Sequence, residues 1–377
     1  MKTLKKSFYL PFFDGSISFK KEWPTITKYL DIVMKLGKFS HGETVKLFEN
    51  AIKEYTGASY AIAVNSGTDA LLLLLRALEI GKGDEVIVPC YTFFASASSI
   101  AHVGAKPVFV DVEPDSLTID PASAEKAITK NTKAIMPVHL FNQMANMDEL
   151  TKIATKNNLL LIEDSAEGIG MTYGNTHSGL LGIGGVLSFF PTKTLGALGD
   201  AGMIISNQKE IAEKVKVMRH HGRTGKTVGF MPGISNEAIH CGTNSKMDDI
   251  QAAVLLARLE FLDENINKRE KLANYFNESL KDIPMIKTPH ILKRDSYTSE
   301  VNYVYSIEAE DRDALVKYLE KNYIETEIYY PIPLHLQPCF RYLGYRKDDF
   351  PVAEKASTRS VALPFYPDLT YKQIDYI

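Results

Sequence analysis

The sequence predicts an α/β fold, with a large domain built on a mostly parallel seven-stranded sheet flanked by helices and a smaller C-terminal α+β domain. Short apolar runs rich in β-branched residues alternate with longer amphipathic stretches over the first two-thirds of the chain, as in βαβ units. Several of these runs are almost continuously hydrophobic, which is typical of strands covered on both faces. The length of 377 residues leaves room for two domains.

The apolar runs predict seven strands, and the stretches between them predict helices. The expected strands are Tyr60–Val64, Glu85–Val88, Pro107–Val112, Ala134–His139, Leu159–Glu163, Val186–Phe189 and Met203–Ser206. The expected helices are Thr68–Ala77, Pro121–Ile128, Met147–Lys156 and Lys209–Arg219.

The pattern changes after about residue 255. A long, charged amphipathic helix is expected at Leu259–Leu280 and a second helix at Ala314–Lys321. Strands are expected at Val301–Ile307 and Glu325–Tyr330. We therefore place a large domain at residues 1–255 and a small domain at residues 256–377.

Composition excludes several classes of protein. The formal net charge of −3 gives no electrostatic basis for a nucleic-acid or membrane partner. No apolar run approaches the roughly 20 residues of a membrane span, and the N-terminus lacks the apolar segment of a signal peptide. Cys90, Cys241 and Cys339 are scattered, far from any metal-ligand spacing. We expect a reduced, cytoplasmic protein without a metal site.

Three short segments that follow predicted strands could bind a ligand. Residues 66–70, Ser-Gly-Thr-Asp-Ala, open a helix whose free N–H groups would attract an anion, or they form an ordinary helix cap. Residues 163–167, Glu-Asp-Ser-Ala-Glu, place carboxylates at a strand end, where ligands bind in open α/β sheets; a helix cap is the alternative. Lys193 lies in a loop with Pro191 and Gly196, either as a plain loop lysine or as a desolvated lysine whose pKa is lowered and which can form a Schiff base.

Together these segments match the requirements of pyridoxal 5′-phosphate (PLP). The helix end would hold the phosphate, a carboxylate would keep the pyridine nitrogen protonated, and the lysine would form the Schiff base. An aromatic side chain would also stack on the ring. Phe93 and Phe94 follow a strand and are the candidates, one of them being expected to pack in the core.

With these residues in the same order, the sequence resembles the DegT (StrS-type) sugar aminotransferases, which are fold type I PLP enzymes. The resemblance covers nearly the whole chain. Its motifs are residues 37–42, 66–71, 163–164, 188–193, 242–248, 331–337 and 363–367. The resemblance implies an aspartate aminotransferase-like fold, an enzyme and PLP as cofactor.

The resemblance also implies roles for residues around the cofactor ring. Lys193 would form the Schiff base and move the proton between the substrate carbon and the cofactor. Asp164 would pair with the pyridinium nitrogen, and Phe93 would stack on the ring. His335 lies where members of the family contact the sugar.

For the phosphate, the resemblance implies Gly67, Thr68 and Ser188. It also implies Asn244, which in the family reaches the phosphate from the neighbouring subunit. A homodimer with shared active sites is therefore expected.

Two positions depart from the family pattern. Glu167 stands where many members have Gln or His beside the phenolic oxygen of the cofactor, and a carboxylate there would repel the phenolate unless it were protonated or turned toward substrate. The Tyr-Arg pair common around the Asn loop is replaced by Thr243 before Asn244 and by Ser245 and Lys246 after it, which puts the substrate contacts in doubt.

The loop sequence bears on the reaction. Relatives that dehydrate a deoxysugar have His in place of the lysine, so Lys193 favours transamination. The continuation over residues 193–202 favours members that aminate carbon 3 of a keto sugar. For the substrates, the resemblance implies a nucleotide-linked sugar as acceptor and glutamate as donor. A sugar phosphate or cyclitol acceptor, a PLP-dependent dehydratase or lyase, and a catalytically idle regulatory homologue are the alternatives.

Overall fold

The computed structural model of the chain describes residues 9–40, 42–224, 237–292, 294 and 298–377. Within these ranges, no helix has both the length and the apolar character needed to cross a membrane. Residues 1–8, on which the expectation about a signal peptide partly rests, lie outside the described residues.

Helices flank the sheets throughout the described part of the chain. The α-helices are α1 (Ser16–Leu36), α2 (Glu43–Thr56), α3 (Gly67–Ala77), α4 (Phe94–His102), α5 (Pro121–Lys126), α6 (Met147–Asn157), α7 (Lys209–Met218), α8 (Asp249–Leu259), α9 (Leu262–Leu280), α10 (Arg312–Lys321), α11 (Pro351–Arg359) and α12 (Tyr371–Tyr376). Two 3₁₀ helices cover Leu334–Leu336 and Pro338–Leu343.

The strands form three sheets. In chain order they are β1 (Tyr60–Val64), β2 (Glu85–Pro89), β3 (Lys106–Val110), β4 (Thr132–Ile135), β5 (Leu160–Asp164), β6 (Thr172–Tyr173), β7 (Thr176–His177), β8 (Gly184–Ser188), β9 (Gly202–Ser206), β10 (Ile286–Lys287), β11 (Tyr305–Ala309) and β12 (Ser360–Leu363).

The large sheet has the order β1-β9-β8-β5-β4-β2-β3. Its pairs are parallel except those of β9, which runs antiparallel to both β1 and β8. All seven strands expected from the apolar runs are present, so the predicted fold class is confirmed. The carboxyl ends of β1, β2, β5 and β8 lie at one edge of this sheet.

Local chemistry explains why the helices of this domain begin where they do. The Ser66 hydroxyl caps α3 by accepting from the Asp69 amide at 3.1 Å. Asp120 caps α5, with Pro121 at its first position, and Asn146 caps α6. Buried apolar faces of these helices then cover the sheet.

A smaller unit is built around the antiparallel sheet β10-β11-β12. Its core joins Phe276 of α9, Tyr305 and Ile307 of β11 and Val361 of β12. Leu10, from the N-terminal end of the described chain, is buried in the same cluster and pairs with Ile324. Helix α8 instead packs on α1 and α2, beside the large sheet. The division at residue 255 stays a prediction.

Three expectations for the C-terminal part are wrong in detail. The long helix begins at Leu262 rather than Leu259, because the chain turns at Glu260 and Phe261 between α8 and α9. The strand expected at Val301–Ile307 spans Tyr305–Ala309. No strand forms at Glu325–Tyr330, where Glu327 makes only an isolated bridge with Ala362 on the free edge of β12.

A buried ion pair fixes the loop that carries Lys193. Arg258 on α8 donates from Nε to Glu22 of α1 at 2.9 Å, and both side chains are almost fully buried. The same guanidinium donates to the Gly196 carbonyl oxygen. A side chain at Gly196 would lie 2.4 Å from the Pro191 carbonyl oxygen, so only glycine fits this turn. The loop is thereby held against two helices.

His177 makes stability depend on pH. Its ring is buried, accepts from the Gly170 amide at 2.9 Å and contacts the Ser178 carbonyl oxygen at 2.6 Å. Burial lowers the pKa of His177 from 6.5 to about 4. The folded protein therefore holds this ring neutral while the unfolded chain takes up a proton below about pH 6.5.

We expect the free energy of unfolding to include the full contribution of the neutral His177 ring above pH 6.5 and to fall as the pH drops from 6.5 toward 4. This one group would account for about 3 kcal/mol, at roughly 1.4 kcal/mol for each pKa unit. Denaturant unfolding at several pH values measures the effect, and His177→Gln should flatten the profile. An unchanged slope in that variant would contradict the assignment.

Candidate active site

Several predicted site residues meet at the carboxyl edge of the large sheet. Asp164 is the last residue of β5, Ser188 is the last residue of β8, and Gly67 opens the helix that follows β1. Phe93 follows β2. In open α/β sheets this edge is where ligands bind.

Lys193 and Glu167 form an ion pair at this edge. Lys193 Nζ lies 2.9 Å from Glu167 Oε1, and the two side chains are 15% and 7% exposed. Glu167 Oε2 accepts from the backbone amide of Phe141 at 2.7 Å. The Lys193 ammonium also lies over the ring of Tyr303, 4.3 Å from its centre.

The expectation of a lowered pKa for this lysine is wrong in the structure. Burial lowers the pKa of Lys193, but the neighbouring Glu167 carboxylate outweighs this, and the net pKa lies above its ordinary value. The loop sequence indicated only desolvation, which lowers the pKa of a lysine. Glu167, which reverses this shift, belongs to a different segment, the one that follows β5.

Asp164 is a buried carboxylate with few partners. Its Oδ2 accepts from Ser96 at 2.7 Å and its Oδ1 from the Ala166 amide at 3.2 Å. Burial raises the pKa of Asp164, more than these two hydrogen bonds lower it. Among the described residues, none forms an ion pair with Asp164. A cationic ring nitrogen would supply that missing charge.

Glu163, next to Asp164, has a structural role. It is fully buried and accepts from the amides of Gly179 and Gly182 at 2.8 and 2.7 Å. His139 Nε2 lies 2.9 Å from it, while His139 Nδ1 accepts from the Ala145 amide. The histidine therefore donates through Nε2 and anchors the end of the sheet.

The first turn of α3 forms a cradle with the end of β8. The amides of Gly67 and Thr68 lie in the first helical turn, where no acceptor from the same helix is available. A side chain at Gly67 would come within 2.9 Å of Ser188 Cβ, so the amide and the hydroxyl are close neighbours. This set of donors suits a phosphate.

The two phenylalanines after β2 have different environments. Phe94 packs on Phe340, with ring centres 5.7 Å apart. Phe93 is 63% exposed and caps the start of α4. The expectation that one of the two rings packs in the core is wrong, since Phe94 contacts Phe340 but is itself 43% exposed. Phe93 is left available to a ligand.

Asn244 and His335 lie apart from the Lys193–Glu167 pair. Asn244 is exposed and accepts from Lys246, while its neighbour Ser245 donates to Asp69 in the first turn of α3. His335 is buried, with Nε2 3.1 Å from Glu354 and the ring edge-on to Phe350. Within the described residues, no hydrogen bond, ion pair or ring contact joins His335 to Lys193.

Sequence reasoning missed the aromatic wall of the site and Ser96. The wall consists of Phe141, Tyr303, Tyr329 and Tyr330. The Phe141 ring stacks on Tyr330, and the Tyr329 ring lies edge-on to both of them. Tyr303 instead lies 3.1 Å from Thr192 through its hydroxyl. The Tyr-Tyr pair before Pro331 was a signal, but we assigned it to a strand.

The donor set fits PLP. A buried carboxylate without a cation, a helix end with free amides beside a serine, an exposed ring and a buried lysine are the groups that PLP requires.

Comparison with known proteins gives a consistent picture. The model of the DegT/DnrJ/EryC1/StrS aminotransferase family matches residues 21–377. The chain is 42% identical to a "Pleiotropic regulatory protein" of Geobacillus stearothermophilus, over 98% of this chain and 96% of that protein. It is 37% identical to the UDP-2-acetamido-2-deoxy-3-oxo-D-glucuronate aminotransferase of Pseudomonas aeruginosa, over 92% of each.

Solved structures that resemble this chain include a complex with a reaction intermediate. The structure of DesV from S. venezuelae, in complex with a ketimine intermediate, has a TM-score of 0.92 and 33% identity, over 98% of this chain and 96% of that one. The chain belongs to the DegT/DnrJ/EryC1/StrS aminotransferase family of PLP-dependent enzymes, as the sequence motifs predicted.

Proposed function

We propose that the protein transfers the amino group of glutamate to carbon 3 of a nucleotide-linked keto sugar. The observation that carries the proposal is the set formed at one sheet edge by the largely buried Lys193, the buried Asp164 and the cradle. That arrangement suits a cofactor which accepts and returns an amino group.

The names of relatives support the choice of substrate. The P. aeruginosa relative is named for a 3-oxo sugar nucleotide. An Aneurinibacillus thermoaerophilus relative, 36% identical, is named a dTDP-3-amino-3,6-dideoxy-α-D-galactopyranose transaminase. Both names agree with the lean toward carbon 3 that the sequence of residues 193–202 gave.

PLP, when bound, supplies an aldehyde carbon to which amines bond and a ring that withdraws electrons from the substrate carbon. Asp164 would hold the ring nitrogen, and its own fixed position comes from Ser96. Gly67, Thr68 and Ser188 would bind the phosphate, and Phe93 would cover one face of the ring.

Lys193 would carry the proton during transfer. Its Nζ is buried between Glu167 and the Tyr303 ring, where water has little access. A nitrogen held in this way can take a proton from a substrate carbon and return it at another atom without exchange with solvent.

The remaining predicted features are part of the same proposal. We propose a homodimer in which Asn244 of one subunit reaches the phosphate of the other, consistent with the exposure of Asn244 in a single chain. His335 would contact the sugar only after its ring moves from its place under Phe350. The cytoplasmic location stays a prediction.

A regulatory role without catalysis is the second candidate, because the G. stearothermophilus relative carries a regulatory name. Retention of Lys193, Asp164 and the cradle favours catalysis, since a regulator would not need them in one place.

Replacing the lysine tests the catalytic proposal. With PLP, glutamate and a 3-keto nucleotide sugar, the protein should form 2-oxoglutarate, and Lys193→Ala should lower the rate by at least about a hundredfold because the proton carrier is lost. The surface variant Lys209→Ala, whose side chain is 72% exposed, is the matched control. Wild-type protein that binds PLP but forms no 2-oxoglutarate with any keto sugar would support the regulatory role.

Asp164 should be sensitive to its hydrogen bonds. Ser96→Ala removes one donor to a buried carboxylate, so we expect PLP to bind about tenfold more weakly, at roughly 1.5 kcal/mol for a bond to a charged group. Absorbance titration with PLP measures the affinity. Ser98→Ala, on the same helix but without a bond to Asp164, is the control, and equal affinities in the two variants would contradict the role of Ser96.

A further inference from the structure

We propose that Glu167 holds the proton of the Lys193 nitrogen, both before the lysine bonds to PLP and afterwards. The inference rests on the proposed function, since it assumes that Lys193 is the residue to which PLP bonds. It assigns to Glu167 a role as a proton-holding partner of the lysine rather than as a partner of the cofactor's phenolic oxygen.

The two contacts of Glu167 limit where the proton shared with Lys193 can lie. Oε1 accepts from Lys193 at 2.9 Å and Oε2 accepts from the Phe141 amide at 2.7 Å. An amide can only donate, and a protonated carboxyl would have to use one oxygen as a donor. Oε2 therefore carries no proton, and the proton of the Oε1–Nζ contact lies either on Oε1 or on the nitrogen. Glu167 raises the pKa of Lys193 despite burial, which assigns this proton to the nitrogen, so the pair consists of a carboxylate and an ammonium.

The donor amide is held in place by an unusual backbone conformation. Phe141 has a φ of +58°, in the left-handed region that non-glycine residues seldom adopt. Hydrogen bonds between Leu140 and Gln143 close the turn, and the Tyr303 amide donates to the Phe141 carbonyl oxygen at 3.0 Å. The Phe141 ring stacks on Tyr330. The fold thus keeps a strained residue whose amide points at Glu167.

Among the residues that the structure describes, three titratable groups face Lys193 and two further phenols face Glu167. Glu167, Asp164 and Tyr303 face Lys193, and of these only Glu167 forms an ion pair with it. Tyr329 and Tyr330 face Glu167, and the pKa of each phenol is raised, first by burial and then with a contribution from the Glu167 charge. These phenols therefore stay protonated, and Glu167 is the acceptor for the lysine proton.

The bonding step balances with Glu167 as a shuttle. An N–H bond of the ammonium breaks and its proton passes to Oε1, which leaves a neutral amine whose electron pair attacks the aldehyde carbon. The carboxyl group then gives this proton to the former aldehyde oxygen, which becomes a hydroxyl group. That hydroxyl group takes up a second lysine proton by the same route and leaves as water. The products are a protonated Schiff base, a water molecule and the original carboxylate. Glu167 thus faces a cationic nitrogen both before the step, as the ammonium, and after it, as the protonated Schiff base. This positive charge offsets the repulsion expected between a carboxylate and the phenolate of the cofactor.

The first measurement uses the cofactor-free protein. Acylation of Lys193 by an amine-reactive reagent is followed by mass spectrometry of its peptide over a series of pH values, since only the neutral amine reacts. We expect the midpoint for Glu167→Gln to lie about one pH unit or more below that of wild type, because the opposite charge is lost. Glu327→Gln, which removes an exposed carboxylate with no described contact to Lys193, should leave the midpoint unchanged.

The second measurement uses the PLP-loaded protein. The visible absorbance of the Schiff base is titrated with pH, and its midpoint should fall in Glu167→Gln in the same direction. Glu167→Asp keeps the charge but is shorter, so it should give intermediate midpoints and carries the test if Glu167→Gln does not fold. Unchanged midpoints in both experiments would overturn the inference and leave the proposed function standing. Absence of any Schiff base at Lys193 in wild type would instead overturn the proposed function.

Discussion

The acidic residues after β5 are withdrawn from water, and their need for partners shapes the site around them. Glu163 is bound by two amides and by His139, and this set ties the end of the sheet together. Asp164 receives only a hydroxyl and an amide, and Glu167 receives an amide and the Lys193 ammonium. A buried carboxylate is stable only when its charge is compensated. The partners therefore distinguish Glu163, which is fully satisfied within the fold, from Asp164 and Glu167, to which we assign roles in the proposed function.

The lysine illustrates how two effects of burial compete. Desolvation alone would favour a neutral amine, but the same exclusion of water strengthens its attraction to Glu167. The net pKa of Lys193 is raised, so the second effect is the larger one. A lysine in this state bonds to a carbonyl only if its proton has a nearby acceptor, and Glu167 is within hydrogen-bond distance.

The sequence could predict those parts of the structure that depend on the pattern of apolar and polar residues within a short segment. The seven strands of the large sheet and the residues at its carboxyl edge followed from apolar runs and from the turns after them. The aromatic wall did not follow, because Tyr303 and Tyr330 reach the site from segments more than one hundred residues beyond Lys193. The sequence also predicted a strand at Glu325–Tyr330, where the structure has only the isolated bridge between Glu327 and Ala362.

The placement of Tyr303 joins the site to the smaller unit. Arg269 of α9 is buried and donates to the Tyr303 carbonyl oxygen at 3.0 Å, and burial lowers the pKa of Arg269 to about 10. Tyr303 in turn donates its amide to Phe141, whose own amide holds Glu167. A shift of α9 relative to the large sheet would therefore move the Tyr303 ring and the Glu167 carboxylate together. The environment of the Lys193 nitrogen is thus set by the position of the smaller unit as well as by the loop that carries the lysine.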